Sequence, residues 1–160
     1  MEEKRRLNII TNSTRKLFAS CPRAYKHRII DEYSGTEFPR NLIYGSAVHK
    51  GLELFWKGKD EFGDAIMQIA CVEAVKFAKE KGMDEFDIAE ITALVTGYCV
   101  YWKNFAKLCK TIAVELPFEL PLRHPVTNIA ANTWVRSGKI DAIIQDPDGV
   151  LCVMEHKTSS

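Results

Sequence analysis

Two carboxylates and a lysine near the end of the chain, Asp141, Glu155 and Lys157, carry the chemistry most readily argued from residue type and spacing. The segment Asp146-Pro147-Asp148-Gly149, set between two runs of β-branched and apolar residues, reads as a hairpin turn. Pro147 and Asp148 suit a type I turn, and Gly149 suits the left-handed position that follows it. With Asp146 facing Val150, counting outward pairs Gln145 with Leu151, Ile143 with Val153 and Asp141 with Glu155. Two carboxylates then lie opposite one another with Cβ atoms about 4.5–5.5 Å apart, where like charges repel. Strand alternation brings Lys157 to the same face. The surrounding Ile140, Ala142, Ile143, Ile144, Leu151, Val153 and Met154 are apolar, so the charges are partly desolvated and need compensation. Two arrangements supply it: an ion pair with Lys157 alone, or a bound divalent cation. A slip of one residue would turn Glu155 to the other face, so spacing by itself leaves both open.

The elements that must position these residues follow from periodicity. Ser13 is expected to cap a short helix through Ala19, and Pro22 to open a second reaching about Ile30. Residues 35–39 read as a loop. Leu42, Ile43, Ala47, Val48, Leu52 and Phe55 keep helical spacing as far as Trp56, with Gly58 ending a helix that carries His49. Two longer helices are expected over about 60–81 and 84–109, parted by Lys81-Gly82-Met83-Asp84. In the second, Ile88, Ile91, Leu94, Val95, Tyr98, Tyr101, Trp102 and Phe105 form a stripe that reads as core. Beyond Lys110 the pattern becomes that of strands, over 111–122, 133–145 and 150–157. Pro117 and Pro121 make the first an edge strand or a broken one. The outline is α+β, a single domain that is mostly helical over 1–110 with a three-strand meander over 111–160.

Composition excludes several classes. With 160 residues and 46% hydrophobic content the chain buries a real core. No run approaches the length of a membrane span, and the start MEEKRRLNIITNS lacks the apolar segment of a secretory signal, so an intracellular, cytoplasmic location is expected. The five cysteines, Cys21, Cys71, Cys99, Cys109 and Cys152, are scattered without a Cys-x-x-Cys pair, against a disulfide framework or a zinc site. The net charge of +1 conceals a basic end: eight Lys or Arg stand against Glu2 and Glu3 in the first thirty residues. That end is a candidate phosphate-facing surface, and a solvated helix face explains it equally well.

The segments GKIDAI (Gly138 to Ile143) and VMEHK (Val153 to Lys157) resemble the paired motifs of the PD-(D/E)XK nuclease superfamily, whose Asp and Glu-x-Lys sit on adjacent strands. YGSAVHKGLE (Tyr44 to Glu53) resembles the helical histidine motif of RecB-type nucleases, and SCPRAYKHR (Ser20 to Arg28) their N-terminal Cys-Pro-x-x-Tyr segment. The four occur in the family's order and span most of the chain.

The resemblance implies an N-terminal helical part packed on the mixed or antiparallel β-meander of a restriction-endonuclease-like core. It implies that Asp141, Glu155 and His49 ligate a metal together with the backbone carbonyl of His156, that Glu115 is a further candidate ligand, and that Lys157 is the catalytic lysine. Oxygen ligands suit Mg²⁺, and an imidazole makes Mn²⁺ a fitting alternative. Glu53, one helical turn after His49, is a candidate to orient the imidazole, and a solvent-facing acid is an equal reading of it. The activity implied is metal-dependent hydrolysis of DNA, as an exonuclease related to AddB-type and CRISPR-adaptation enzymes of repair and recombination, with a helicase or another recombination or repair protein as the class of partner. Arg15, Lys16, Arg23 and Tyr25 are the DNA-binding candidates. Some relatives hold an iron–sulfur cluster through a cysteine at the place of Cys21 and three near the C-terminus; the trio has no counterpart here, so no cluster is expected. The family's last helix and strand, which follow the lysine, also have no counterpart before Ser160. The reading is therefore of a truncated domain with an exposed sheet edge open to self-association, and its alternative is a catalytically weak nuclease-fold fragment that binds DNA or a partner protein.

Overall fold

The computed structural model describes residues 8–33 and 39–158. In chain order the elements are β1 (Asn8–Ile10), α1 (Asn12–Ser20), α2 (Pro22–Tyr25) with a π-helical turn Lys26–Ile30, α3 (Arg40–Phe62), α4 (Ile66–Glu80), α5 (Glu85–Leu108), β2 (Lys110–Arg123), β3 (Ala130–Gln145) and β4 (Leu151–Met154). The strands form a mixed sheet of order β1-β3-β2, with β4 paired to β3. The arrangement is α+β, as expected. The chain divides into two compact units, one of residues 1–36 and 117–139, the other of 37–116 and 140–160.

In the first unit, Thr11 rather than Ser13 caps α1. Its hydroxyl accepts from the Thr14 N–H while the Thr14 hydroxyl accepts from the Thr11 N–H, a reciprocal box that Ser13, already inside the helix, cannot make. Pro22 opens α2 at its first position, and the Cys21 sulfur accepts from the Ala24 N–H. The three-residue strand β1, not anticipated from sequence, runs parallel to β3 with Ile9 opposite Val135. It is too short to show an alternation. Pro117 and Pro121 lie within a continuous β2, which the strand order leaves at an edge of the described sheet, the position in a sheet that tolerates proline. The loop expected at 35–39 falls, except for Pro39, outside the described residues.

The second unit holds the main core. Ala70, Ala74 and Ala78 form a fully buried row along α4, and on α3 a Cβ at Gly51 would come within 3.1 Å of the Ala70 carbonyl, so small residues bring these helices close. Phe55, Trp56, Ile91, Val95 and Cys99 fill the space between α3 and α5, each large side chain contributing about 1.5–3 kcal/mol by burial. Gly58 does not end α3. It is buried inside the helix, where a Cβ would stand 2.6 Å from Ile66 Cδ1, so the glycine answers a packing demand. The helix ends at Gly63, with φ of 53°, and a turn over Gly63–Ala65 leads into α4, which therefore starts later than its periodicity suggests. Asp84 caps α5 through the Asp87 N–H, as the expected break requires. Ile91 and Val95 of the α5 stripe are core, but Leu94, Tyr101 and Phe105 are exposed, because a stripe this wide exceeds the surface that α3 and α4 cover. Among the described residues no helix is long and apolar enough to cross a membrane.

Candidate metal centre

The β3–β4 hairpin has the register the turn dictates. Ala142, Ile143, Ile144 and Gln145 pair with Met154, Val153, Cys152 and Leu151. Gly149 takes φ of 83°, and the Asp146 carboxylate locks the turn by accepting from the N–H groups of Asp148 and Val150. Ala142 and Ile144 face the core, which leaves Asp141 on the opposite face, only partly buried. β4 ends at Met154, one residue short of the position facing Asp141. The chain beyond stays tied to β3 by a side chain instead: the His156 N–H donates to Asp141 Oδ2 at 2.6 Å.

Helix α3 supplies the imidazole. Val48 and Leu52 sink into the core and leave His49 half-buried beside them, with Nδ1 3.6 Å from Asp141 Oδ1. One turn earlier, a Cβ on Gly45 would meet Thr158 Oγ1 at 3.0 Å, so the glycine admits the segment that follows β4. The third group comes from β2. Glu115 has φ of 55°, a left-handed conformation uncommon for a residue with a side chain and costly inside a strand. The in-and-out alternation that holds from Lys110 to Ala113 lapses there, with Ala113, Val114 and Glu115 all half-buried. Donor atoms of His49, Glu115 and Asp141 lie within 4.8 Å of one another.

An imidazole and two carboxylates are a borderline-hard donor set suited to Mg²⁺ or Mn²⁺. Ligand distances of about 2.0–2.2 Å put opposed donor atoms of one ion about 4.4 Å apart and adjacent ones closer, so the three donors need only small side-chain adjustments to share an ion. The residues fit a divalent ion. Next to them, burial pushes the His156 imidazole below its ordinary pKa, the Asp141 charge working against that shift and His49 with it. Its Nε2 is buried without a hydrogen-bond partner among the described residues. The ring packs edge-on against Tyr98, whose phenol is pushed up to about 12 by burial although it accepts a hydrogen bond from Trp56 Nε1 at 2.9 Å.

Of the residues singled out from sequence, His49, Asp141 and Glu115 are brought together. Glu155 and Lys157 are exposed on the segment past β4, outside the three-residue group. His156 joins Asp141 through its backbone N–H. Glu53 does not orient His49; Lys50 and Lys57 grip its carboxylate, and although burial pushes that carboxyl up, the two ammonium groups outweigh it and hold the pKa below the usual value. In the first unit, Arg15, Lys16 and Arg23 are exposed on α1 and α2, and Tyr25 packs edge-on against Phe18 at 5.3 Å. The inward-facing His156 ring was missed from sequence. The alternation Cys152, Met154, His156, all half-buried between exposed neighbours, is the signal that could have found it.

Among curated proteins nothing matches the chain. The family model described as the PD-(D/E)XK nuclease superfamily matches residues 10–160, a stretch that includes His49, Glu115 and Asp141. Metal-dependent nucleases make up that family, and its restriction-endonuclease-like α+β fold agrees with the mixed sheet and helices of this structure. Taken with the hairpin register and the His49, Glu115 and Asp141 cluster, the match establishes that the chain belongs to the PD-(D/E)XK nuclease superfamily.

Proposed function

We propose that this chain hydrolyses phosphodiester bonds of DNA as a metal-dependent exonuclease of the RecB type, with Mg²⁺ or Mn²⁺ at His49, Glu115 and Asp141. The observation that carries the reading is the convergence of those three side chains from α3, β2 and β3 on one point. The observed pairing ends at Ala142 and Met154; one further step of that register would set Glu155 opposite Asp141, and on that ground we assign Glu155 and the His156 carbonyl to the same ion. The ion supplies a bound water of lowered pKa and offsets charge developing on the scissile phosphate. The chain's own groups do the rest. The His156 N–H occupies Asp141 Oδ2 and so directs Oδ1 toward His49. Lys157, two residues beyond Glu155, is the catalytic lysine that orients the attacking water or neutralises the phosphate. Arg15, Lys16 and Arg23 contact the DNA backbone, with Tyr25 beside them. The RecB-type and exonuclease assignments rest on the histidine and Cys-Pro-x-x-Tyr motifs, and with them the role in repair beside a helicase.

Labelled DNA incubated with Mg²⁺ or Mn²⁺ tests the proposal. Cleavage is expected with metal and not with EDTA, and Lys157→Ala should lower the rate about 10²-fold or more. Cleavage that needs no metal, or that survives Lys157→Ala unchanged, refutes it. A second reading, a nuclease fold that binds DNA or a partner protein without cutting it, is favoured by the exposure of Glu155 and Lys157 outside the three-residue cluster. It predicts binding with no metal-dependent turnover.

A further inference from the structure

A train of aromatic rings leaves the metal centre along α5 and emerges at the surface. His49 and His156 have ring centroids 6.1 Å apart, His156 and Tyr98 5.3 Å, Tyr98 and Trp102 6.1 Å, and Trp102 and Phe105 5.6 Å, with Tyr101 lying 5.2 Å from Trp102. Exposure rises along it. Tyr98 and Trp102 are half-buried, Phe105 is 36% exposed and Tyr101 78% exposed. Aromatics at helical spacing ordinarily serve the core, and the inner members do. The outer ones do not, since a phenol ring left almost wholly in water contributes little to packing.

We propose that Tyr101, Trp102 and Phe105 form a stacking platform for unpaired bases of a nucleic-acid strand whose backbone is delivered to the metal centre. The inference rests on the nuclease reading above and deepens it by naming the substrate class: a single-stranded segment. Three features favour this occupant. Every base has a π-face, so exposed rings bind strands without regard to sequence. Bases in a duplex already stack on one another and cannot offer those faces. The train is continuous ring to ring with the imidazoles of the site, and the helix from Tyr101 to Phe105 rises about 6 Å, roughly two nucleotides at a 3.4 Å spacing. Between Ile91 and Lys110 the sequence carries no acidic residue, and the Asp64 carboxylate that reaches this helix from outside is met by two lysines, Lys103 and Lys107.

Fluorescence anisotropy in EDTA, with labelled oligo-dT, an abasic strand of the same length and a hairpin duplex, tests the platform independently of cleavage. Tyr101→Ala is expected to weaken oligo-dT binding about tenfold, Tyr101→Phe to restore it, and the abasic strand and duplex to be indifferent to both. Phe105→Ala provides a second reading of the same surface, with a thermal melt confirming that each variant is folded. The proposal is overturned if the wild-type chain does not bind oligo-dT, if Tyr101→Ala binds it unchanged, if the loss is equal on the abasic strand, if the hydroxyl proves necessary, or if the substitutions only abolish a concentration-dependent self-association. Absence of metal-dependent turnover in the wild type with base-dependent binding intact would count against the nuclease reading and not against the platform.

Discussion

Glu115 combines two properties that seldom occur together, a carboxylate within reach of His49 and Asp141 and a left-handed backbone inside a strand. Such a conformation costs on the order of 1–3 kcal/mol and persists where the surroundings enforce it. Glycine adopts it freely, although glycine in an ordinary strand costs about 0.5–1 kcal/mol. Glu115→Gly is therefore expected to keep or raise the melting temperature of the metal-free protein while weakening Mn²⁺ binding, with calorimetry reading both. A marked fall in melting temperature would show that the interactions of the Glu115 side chain outweigh any strain in its backbone. Residue by residue, Asp141 and His49 were legible because their motifs are local and their spacing is fixed by a turn and by a helix. Glu115 entered only as a further candidate by resemblance, since no neighbouring residue marks a left-handed glutamate. Glu53 stayed open in the sequence because helical spacing makes it a neighbour of Lys50 and Lys57 as well as of His49, and opposite charge decides among them.

Elements were legible where one interaction decides them and obscure where packing does. The turn at Pro147, Asp148 and Gly149 fixed the hairpin to the residue, and Asp84 marked the start of α5. Gly58 was misjudged because a glycine in a helical pattern signals either an end or a close approach, and only the partner helix tells which. The same substitution should thus have opposite effects at two positions. Gly58→Ala drives a methyl to 2.6 Å from the buried Ile66 and is expected to destabilise by about 1–3 kcal/mol. Gly97→Ala, on α5 with nothing within 4 Å, should stabilise by up to about 1 kcal/mol. Urea unfolding of both variants checks this; equal shifts of one sign would contradict the packing argument. Strand β1 and the continuity of β2 were not legible, because three residues show no alternation and two prolines suggest a break.

At the scale of the whole molecule, a net charge of +1 hides a basic first thirty residues, and Arg15, Lys16, Arg23, Lys26 and Arg28 are exposed there. Neutralising about three or four phosphates makes affinity fall about 10- to 10²-fold for a fourfold rise in salt. DNA binding followed by anisotropy across that range should show this slope, and Arg15→Ser with Lys16→Ser should flatten it; a slope unchanged by the pair would place the phosphate contacts elsewhere. The family and its fold class were readable from four short motifs in order, whereas the division of the chain into two compact units had no marker in composition. The account turns on three side chains from three elements holding one ion. Isothermal titration of Mn²⁺ into the wild-type protein and into Asp141→Asn, an isosteric change that can still accept the His156 N–H, measures this directly. A single site in the wild type that is lost in Asp141→Asn is the predicted result, and binding that is absent from the wild type or indifferent to the substitution would contradict it.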